Sequence, residues 1–414
     1  MIKTYALIIT MAIFIRFVLY LVSTYLNIIN IKNADFSKIR QNYTFTEFTR
    51  SSLYTMARSR FEIVGMFLVV ITLMLFWMLY GFTGMEMLVS LLSDNAVIKG
   101  IIYWFVLLAL LMFVRNVGDA FLTFVIEQKF GFNSMTWRTW FHDKFIEAGL
   151  VYAVALPIIF LLLVIFYVFS FSGWWIAWIV FGAILFFVEM IYPKVYLRLF
   201  FKFTPIENTN LRDKIMSFCQ KIDLPVSAIY VVNGSKRTRR VNASFIGLGK
   251  SRTIILYDNI LENFTDDEII CIIGHEAGHF KHNHLLIDTL LKIVAMGVGL
   301  YWYGYFSTNI ELFQSFFVYS TSYYSGLAFC ILLCAIPDLL ISPLYNTFMR
   351  RLQLNADMFS VHATHDKANT ISALKKLSVK NLNNPLPHRF YVALYYTQYS
   401  IEQRIKAVCD EKID

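Results

Sequence analysis

The sequence predicts an α-helical multi-pass membrane protein, because its composition is too apolar for a soluble chain and its apolar residues form long windows. The 414 residues are 57% hydrophobic and only 16% charged, whereas soluble domains carry about 25% charged residues. Windows of about 20 apolar residues are long enough to cross a bilayer as helices. Seven such windows occur, at 5–27, 62–83, 100–124, 149–171, 174–200, 286–306 and 326–346.

Lysine and arginine residues follow a one-sided pattern around these windows. Seven crossings put four basic segments on one side: 28–61, 127–147, 201–284 and everything after 347. The segments on the other side contain no Lys or Arg: 84–98, 172–173 and 307–325. An excess of Lys and Arg is typical of the cytoplasmic side. The net charge of +9 therefore indicates orientation in a membrane and not nucleic-acid binding.

Several charged residues lie inside the apolar windows, where a charge is costly unless it faces protein or water. We expect either ion pairs between helices or a hydrated internal cavity. A transporter would also place charges at this depth, but the chain lacks an inverted repeat and paired broken spans, which transporters show. The residues are Arg16, Arg115, Asp119, Glu189, Asp288, Lys292 and Asp338.

A helix beginning at Thr265 is predicted to carry a metal-binding motif. Thr265 and Glu268 have the spacing of a capping box, which marks a helix start, and an apolar run leads into a His-Glu-x-x-His pattern. His275 and His279 are four residues apart, so both imidazoles share one face and can reach one ion. Zinc accepts nitrogen ligands and keeps a position open for water when it is catalytic. Glu276 is placed to take a proton from that water.

Two further histidines and a third ligand remain to be located. We expect His282 and His284 to continue the same helix as polar residues near the membrane boundary. A catalytic zinc site needs a third protein ligand, and the best place for it is 349–359, after the last window. A helix there would put Gln353 and Asp357 on one face, at i and i+4.

Seven other segments occur in the order found in one family. They are Glu47-Phe48, Ser52-Leu53-Tyr54, 124–133, Ile191-Tyr192-Pro193, Lys202-Phe203-Thr204-Pro205, 230–237 and Asn242-Ala243. Together with the zinc motif, they make the chain resemble the type I CAAX prenyl proteases, integral-membrane zinc metallopeptidases that process prenylated proteins. The resemblance implies seven long helices around a water-filled chamber, one Zn²⁺, and a prenylated CAAX protein or peptide as substrate.

The resemblance also implies roles for individual residues. Asn242 and Ala243 match an edge strand that hydrogen-bonds the substrate backbone, although a simple turn at a strand edge remains the alternative. Asp357 matches an aspartate that orients a zinc-bound histidine. Gln398 and Arg404 match the region around the oxyanion. We expect His275 and His279 to bind the metal, with Glu276 as the catalytic base.

Three glutamines depart from the family's pattern. Gln353 occupies the position of the glutamate ligand, Gln398 that of an oxyanion histidine, and Gln403 that of a glutamate preceding Arg404. Because a neutral amide is a weaker ligand than a carboxylate, one expectation is a slow or altered protease. A second is a pseudoprotease that serves as a membrane chamber, binding or quality-control protein. A third is that Asp357, one turn further along, binds the metal instead.

The predicted organisation has four regions. Residues 1–200 hold the first five transmembrane helices with their cytoplasmic loops, and 201–284 hold a protease segment with an edge strand and the zinc helix. Residues 285–347 hold helices six and seven, and 348–414 form a C-terminal cytoplasmic protease segment. The protease domain is expected to be mostly helical. The family suggests the endoplasmic reticulum or nuclear envelope membrane.

Overall fold

The computed structural model describes residues 4–246 and 252–411, and within these ranges the chain is mostly helical. The helices are α1 (Thr4–Lys32), α2 (Phe45–Met78), α3 (Gly81–Leu92), α4 (Ala96–Phe121), α5 (Trp137–Phe169), α6 (Gly173–Phe200), α7 (Thr209–Lys221), α8 (Asp258–Asn263), α9 (Asp266–Lys281), α10 (His284–Phe306), α11 (Ile310–Ser315), α12 (Tyr323–Leu333), α13 (Ala335–Thr364), α14 (Lys367–Lys380), α15 (Arg389–Tyr395) and α16 (Ile401–Asp410). The strands are β1 (Phe203–Pro205), β2 (Val226–Val232), β3 (Ala243–Ile246) and β4 (Arg252–Tyr257).

Five helical segments of the described chain are long and apolar enough to cross a membrane, or six if α12 and α13, which meet at a 52° bend, form one broken span. The five are Thr4–Lys32, Phe45–Met78, Ala96–Glu127, Trp137–Ile191 and His284–Phe306. The prediction of a multi-pass helical membrane protein is therefore confirmed. The count of seven crossings stays a prediction, as do the boundaries of the four regions.

The segment that contains α5 and α6 folds back on itself. As one straight rod, residues 137–200 would extend about 95 Å. Instead, Arg237 bonds Asp143 near the start of α5 at 2.6 and 2.8 Å and lies 6.0 Å from the ring of Phe200, the last residue of α6. The reversal occurs at a single 3₁₀ turn, where Ser170 has a φ of 50°. The outer ends of the two helices thus lie together.

The second window and the loop after it differ from expectation. We predicted a span over 62–83 followed by a loop, but α2 ends at Met78 and α3 begins at Gly81. Tyr80 between them has a φ of 60°. The segment is helical because α3 has an apolar face to bury: Phe82 packs edge-on against the aromatic ring of Phe316 at 5.2 Å.

A four-stranded sheet precedes the motif helix and helps to position it. The strand order is β1-β2-β4-β3, with β2 and β4 parallel and the outer pairs antiparallel, so β1 and β3 are edge strands. Ile254 and Leu256 of β4 are buried in one apolar cluster with Ile269 and Ile273 of α9. The strand β3 lies beside α9, where the rings of Phe245 and Phe280 are 5.7 Å apart.

The charges inside the apolar windows are paired, which supports the first of the two alternatives above. Every one of the seven has an oppositely charged partner. The pairs are Arg16–Asp338, Arg115–Glu147, Asp119–Lys144, Glu189–Lys292 and Asp288–Lys292. Such pairing offsets part of the cost of holding charge at membrane depth.

Candidate metal centre

The helix α9 begins as the sequence predicts. Thr265 accepts a hydrogen bond from the backbone N–H of Glu268, and the Glu268 carboxylate accepts one from the backbone N–H of Thr265 at 2.8 Å. This capping box is therefore confirmed. The same carboxylate accepts hydrogen bonds from Ser372 and Lys376 of α14, which ties the start of the motif helix to the C-terminal segment.

Two glycines let α9 approach α13 closely. A Cβ atom at Gly278 would lie 2.9 Å from Cα of Ala356, and one at Gly274 would lie 2.8 Å from Oγ of Ser360. Real Cβ atoms essentially never come so near. Ser360 donates a hydrogen bond of 2.6 Å to the carbonyl of Cys271 at the same crossing. This close approach brings residues of α13 over the histidines of α9.

The motif histidines converge on one point. Nε2 of His275 and Nε2 of His279 are 3.3 Å apart. Each ring is held from its other side: Nδ1 of His275 is 2.8 Å from Oδ1 of Asp357, and Nδ1 of His279 is 2.9 Å from Nδ1 of His284. Both Nε2 atoms are thus free to bind a cation, while the Nδ1 atoms fix the ring orientations.

The prediction for His282 and His284 was wrong in its geometry. The helix α9 ends at Lys281, and Asn283 adopts left-handed backbone geometry with a φ of 52°. Asparagine tolerates this conformation better than most residues. The chain therefore turns, and His284 begins α10 as a buried residue against His279. The ring of His282 stacks on that of His284 at 5.6 Å.

Asp357 is held by three hydrogen bonds. Its Oδ1 accepts from Nη2 of Arg404 at 2.6 Å as well as facing His275, and its Oδ2 accepts from Nε of Arg404 at 2.7 Å. The side chain is almost completely buried. Metal binding by Asp357 stays a prediction; a move of its carboxylate to the metal would break the pair with Arg404.

Gln353 lies one turn before Asp357 on α13 and faces the other motif histidine. Its side chain acts to raise the pKa of His279, against the stronger effect of burial. Within the described ranges, no cluster of three or more His, Cys, Asp or Glu residues could hold a metal ion. Gln353 is an amide and does not count toward such a cluster.

Burial sets the electrostatics of this site. It lowers the pKa of His279 to about 3, and positive charge on His275 and then His284 acts in the same direction. Burial also raises the pKa of Glu276, against the opposing influence of His275 and Arg404. For Arg404, burial lowers the pKa, but the adjacent carboxylate of Asp357 outweighs it and leaves that pKa raised. A neutral imidazole at His279 is the form that a metal requires.

The residues fit a zinc ion. Two nitrogen atoms bound at about 2.0–2.1 Å to one tetrahedral zinc lie about 3.3–3.4 Å apart, which matches the separation of the Nε2 atoms of His275 and His279. The amide of Gln353 lies beside His279 and offers an oxygen as the third donor. The carboxylate of Glu276 accepts no hydrogen bond from any described residue and is therefore available to water.

The other residues expected at the site lie in three places: the start of β3, the cavity lined by Arg404, and the start of α16. Asn242 and Ala243 lie at the start of β3, where the Asn242 side chain accepts a hydrogen bond from the backbone N–H of Ala243. Gln398 lines a cavity of about 260 Å³ together with Arg404. Gln403 instead forms the capping box of α16 with Ser400, so its side chain serves the helix start and does not face the histidines.

Comparisons with known proteins agree over nearly the whole chain. A model described as the CAAX prenyl protease N-terminal region with five membrane helices matches residues 27–202, and the model of peptidase family M48 matches residues 205–412. The CAAX prenyl protease 1 homolog of Dictyostelium discoideum is 28% identical over 390 residues, which cover 90% of this chain and 89% of that protein.

Two further similarities are narrower or more distant. The probable CAAX prenyl protease 1 of Schizosaccharomyces pombe is 36% identical over 197 residues, covering 47% of this chain and 41% of the relative. The crystal structure of S. mikatae Ste24p has the same fold, with a TM-score of 0.92 over 98% of this chain and 99% of that chain, at 23% identity. The chain is therefore a multi-pass membrane metallopeptidase that belongs to the type I CAAX prenyl protease family, within peptidase family M48.

Proposed function

We propose that this protein is a zinc endopeptidase that cleaves prenylated proteins near their carboxyl terminus. The observation that carries the proposal is the convergence of His275 and His279, whose Nε2 atoms are 3.3 Å apart beside the unpaired carboxylate of Glu276. M48 peptidases are zinc-dependent, and the donor set here suits that ion. His275, His279 and Gln353 would hold one Zn²⁺.

Each residue of the site would have a distinct task. Bound zinc would supply Lewis acidity toward water and the scissile carbonyl. Glu276 would accept the proton of the attacking water and pass it to the leaving amine. Asp357 would keep His275 oriented, and Arg404 would hold Asp357 in place through its two hydrogen bonds. Arg404 is therefore a positioning residue in this scheme.

We expect slow turnover because two neutral amides replace charged groups. Gln353 stands for a carboxylate ligand, and Gln398 stands for an imidazolium that would donate to the oxyanion. The amide of Gln353 is neutral and would bind zinc less tightly than a glutamate. Gln398 could still donate a hydrogen bond to a developing oxyanion, but without positive charge. Loss of one such donor typically costs about 100- to 1000-fold in rate.

The substrate would bind along the edge of the sheet. Among the described residues, the strand β3 pairs with β4 alone, so its other side can accept an extended peptide by strand addition. Asn242 and Ala243 stand at the start of this edge, next to the motif helix. The names of the relatives describe CAAX prenyl proteases, which favours a prenylated CAAX-type peptide as the occupant.

The proposal includes a membrane topology with seven crossings. Counting the α5–α6 hairpin as two crossings and the bent α12–α13 pair as one gives seven crossings, and we propose that they surround a water-filled chamber. The basic side and the C-terminus would face the cytoplasm, in the endoplasmic reticulum or nuclear envelope membrane. Four Asn-x-Ser/Thr triplets, at Asn42, Asn233, Asn242 and Asn263, would then carry no glycan; glycosylation at Asn233 would contradict this orientation.

Cleavage of a prenylated peptide tests the proposal. Purified wild-type protein is expected to release a carboxyl-terminal fragment from a farnesylated CAAX peptide, detected by mass spectrometry, and Glu276→Ala is expected to abolish it. The unprenylated peptide is the matched substrate control. Tight binding of the prenylated peptide with no Glu276-dependent product would instead favour the pseudoprotease.

A further inference from the structure

A basic cavity lies at the outer ends of α5 and α6, away from the motif histidines. Its volume is about 590 Å³. Its walls come from the first turns of α5, the end of α6 and the segment after β2. The lining residues are Arg138, Thr139, His142, Leu199, Phe200, Phe201, Lys202, Asn233, Lys236 and Arg237.

The cavity is strongly cationic. Four of its lining residues are Arg or Lys, a fifth is His142, and no Asp or Glu lines it. Arg237 is neutralised by its two hydrogen bonds to Asp143, which also fix its position. Arg138, Lys202 and Lys236 form no ion pair with any residue of 4–246 or 252–411. Three cations without an ion-pair partner among the described residues therefore border one open cavity, an arrangement that favours an anion there.

Leu199, Phe200 and Phe201 form an apolar part of the wall, which Thr139 and Asn233 complete. Phe200 and Phe201 flank the guanidinium of Arg237 at 6.0 and 5.0 Å. Trp137 and Phe141, on the first turns of α5, are 51% and 63% exposed. Exposed aromatic residues at the ends of apolar helices are typical of the boundary between acyl chains and headgroups. The cavity thus combines free cations with an apolar rim at headgroup depth.

We propose that this cavity binds the phosphate-bearing headgroup of an anionic phospholipid from the surrounding leaflet. Basic pockets between membrane helices are suited to such headgroups. Arg138, Lys202 and Lys236 contact the phosphate oxygens, and the apolar rim accommodates the start of the acyl chains. The proposal is independent of peptidase activity, because none of these residues touches His275, His279 or Glu276.

Lipid retention by the full-length protein tests this site. The triple variant Arg138→Gln, Lys202→Gln, Lys236→Gln is compared with wild type by native mass spectrometry in detergent, after incubation with phosphatidylserine or phosphatidylcholine. Each cation near a membrane surface contributes about 1 kcal/mol, or about fivefold. Wild type is expected to retain phosphatidylserine selectively, and the triple variant is expected to retain it roughly 100-fold less.

A control variant distinguishes the effect of this cavity on lipid retention from an effect of the protein's net charge. Arg212→Gln, Lys221→Gln, Lys406→Gln removes the same charge from exposed helix positions elsewhere and is expected to retain phosphatidylserine as wild type does. Equal loss in both variants, or equal retention of both lipids by wild type, overturns the proposal. Displacement of the lipid by low concentrations of inorganic phosphate would show a general phosphate site and would also overturn it.

A second measurement on wild-type protein does not depend on the folding of any variant. Phosphatidylserine carrying a photoreactive group near its headgroup is expected to crosslink to peptides containing 138–142, 199–202 or 233–237, mapped by mass spectrometry. The phosphatidylcholine analogue is expected to label these peptides much less. Equal labelling by both analogues, or labelling confined to other segments, contradicts the assignment.

Discussion

Arg404 and Asp357 form a buried bidentate pair, with two hydrogen bonds of 2.6 and 2.7 Å, and the same carboxylate holds Nδ1 of His275. The two residues are 47 positions apart, on α16 and α13. The carboxyl-terminal helix is thereby connected to a motif histidine through one carboxylate. This connection makes Arg404 part of the support of the proposed metal site.

Replacement of Arg404 tests that support. Arg404→Ala leaves the Asp357 carboxylate buried without its partner, which typically costs about 3–5 kcal/mol, and it releases the constraint on His275. Thermal unfolding in detergent is expected to occur at a clearly lower temperature, and zinc retention is expected to fall. Arg404→Lys keeps the charge but not the planar fork, so an intermediate loss is expected. A stable Arg404→Ala protein with unchanged zinc retention would contradict the role.

His284 is expected to act on the metal site through His279. Its Nδ1 lies 2.9 Å from Nδ1 of His279, the position from which an outer residue fixes a ligand's orientation. His284→Ala is expected to weaken zinc binding about 10- to 100-fold, measured by competition with a chelator. His284→Asn retains a short polar group and is expected to recover part of the affinity. Equal affinities for wild type and His284→Ala would rule out this role.

Close helix packing at Gly278 gives a prediction about stability. A methyl group there would meet Ala356 and Phe359 of α13 at 2.9–3.1 Å, so Gly278→Ala must push the helices apart. Overpacking of this kind typically costs about 1–3 kcal/mol, and we expect a lower unfolding temperature together with weaker zinc binding. Gly299→Ala, in α10, has open space around it and serves as the control; it is expected to unfold like wild type.

The ion pair of Glu268 predicts a pH dependence. Burial raises the pKa of Glu268, but hydrogen bonds from Lys376, Ser372 and Thr265 outweigh burial and leave that pKa lowered. A carboxyl whose folded pKa lies below its unfolded value, about 4.3, stabilises the fold above that value. This stabilisation is lost as the pH falls through the folded pKa.

Unfolding at two pH values measures this contribution. At pH 7, Lys376→Gln is expected to destabilise the protein by about 1 kcal/mol, a modest figure because Lys376 is partly exposed. The difference from wild type should shrink as the pH falls through the lowered folded pKa of Glu268, where its carboxyl becomes protonated. Lys375→Gln is the matched control, since Lys375 bonds a backbone carbonyl and no carboxylate of a described residue. A Lys376→Gln effect that is constant from pH 7 to pH 3 would refute the assignment.

The start and face of the motif helix could be predicted because they depend on local chemistry. The capping box of Thr265 and Glu268 and the i, i+4 spacing of His275 and His279 need only neighbouring residues. The sequence also indicates a membrane protein, because amino-acid composition and the length of the apolar windows do not depend on tertiary contacts. Family membership followed from several ordered segments, and the comparisons confirm it.

Other features depend on distant partners and were missed for that reason. The left-handed turn at Asn283, which returns His284 to His279, could have been suspected from an asparagine at a helix end, but its contact could not. The sequence predicts a loop where α3 forms, because the apolar face of α3 is buried only by packing against distant residues such as Phe316. The family's pattern places Gln403 at the site, although Ser400, three residues earlier, indicates a capping box.

His275, His279 and Gln353 are proposed to form one zinc site, and their affinity for zinc can be measured. Purified wild type, Gln353→Glu and His279→Ala would be titrated with zinc against a chelator, with bound metal measured by mass spectrometry. We expect one zinc per wild-type chain, binding at least about tenfold tighter in Gln353→Glu, and loss of the site in His279→Ala. Wild type that binds no zinc, or zinc binding unaffected by both substitutions, would show that these residues do not form a zinc site.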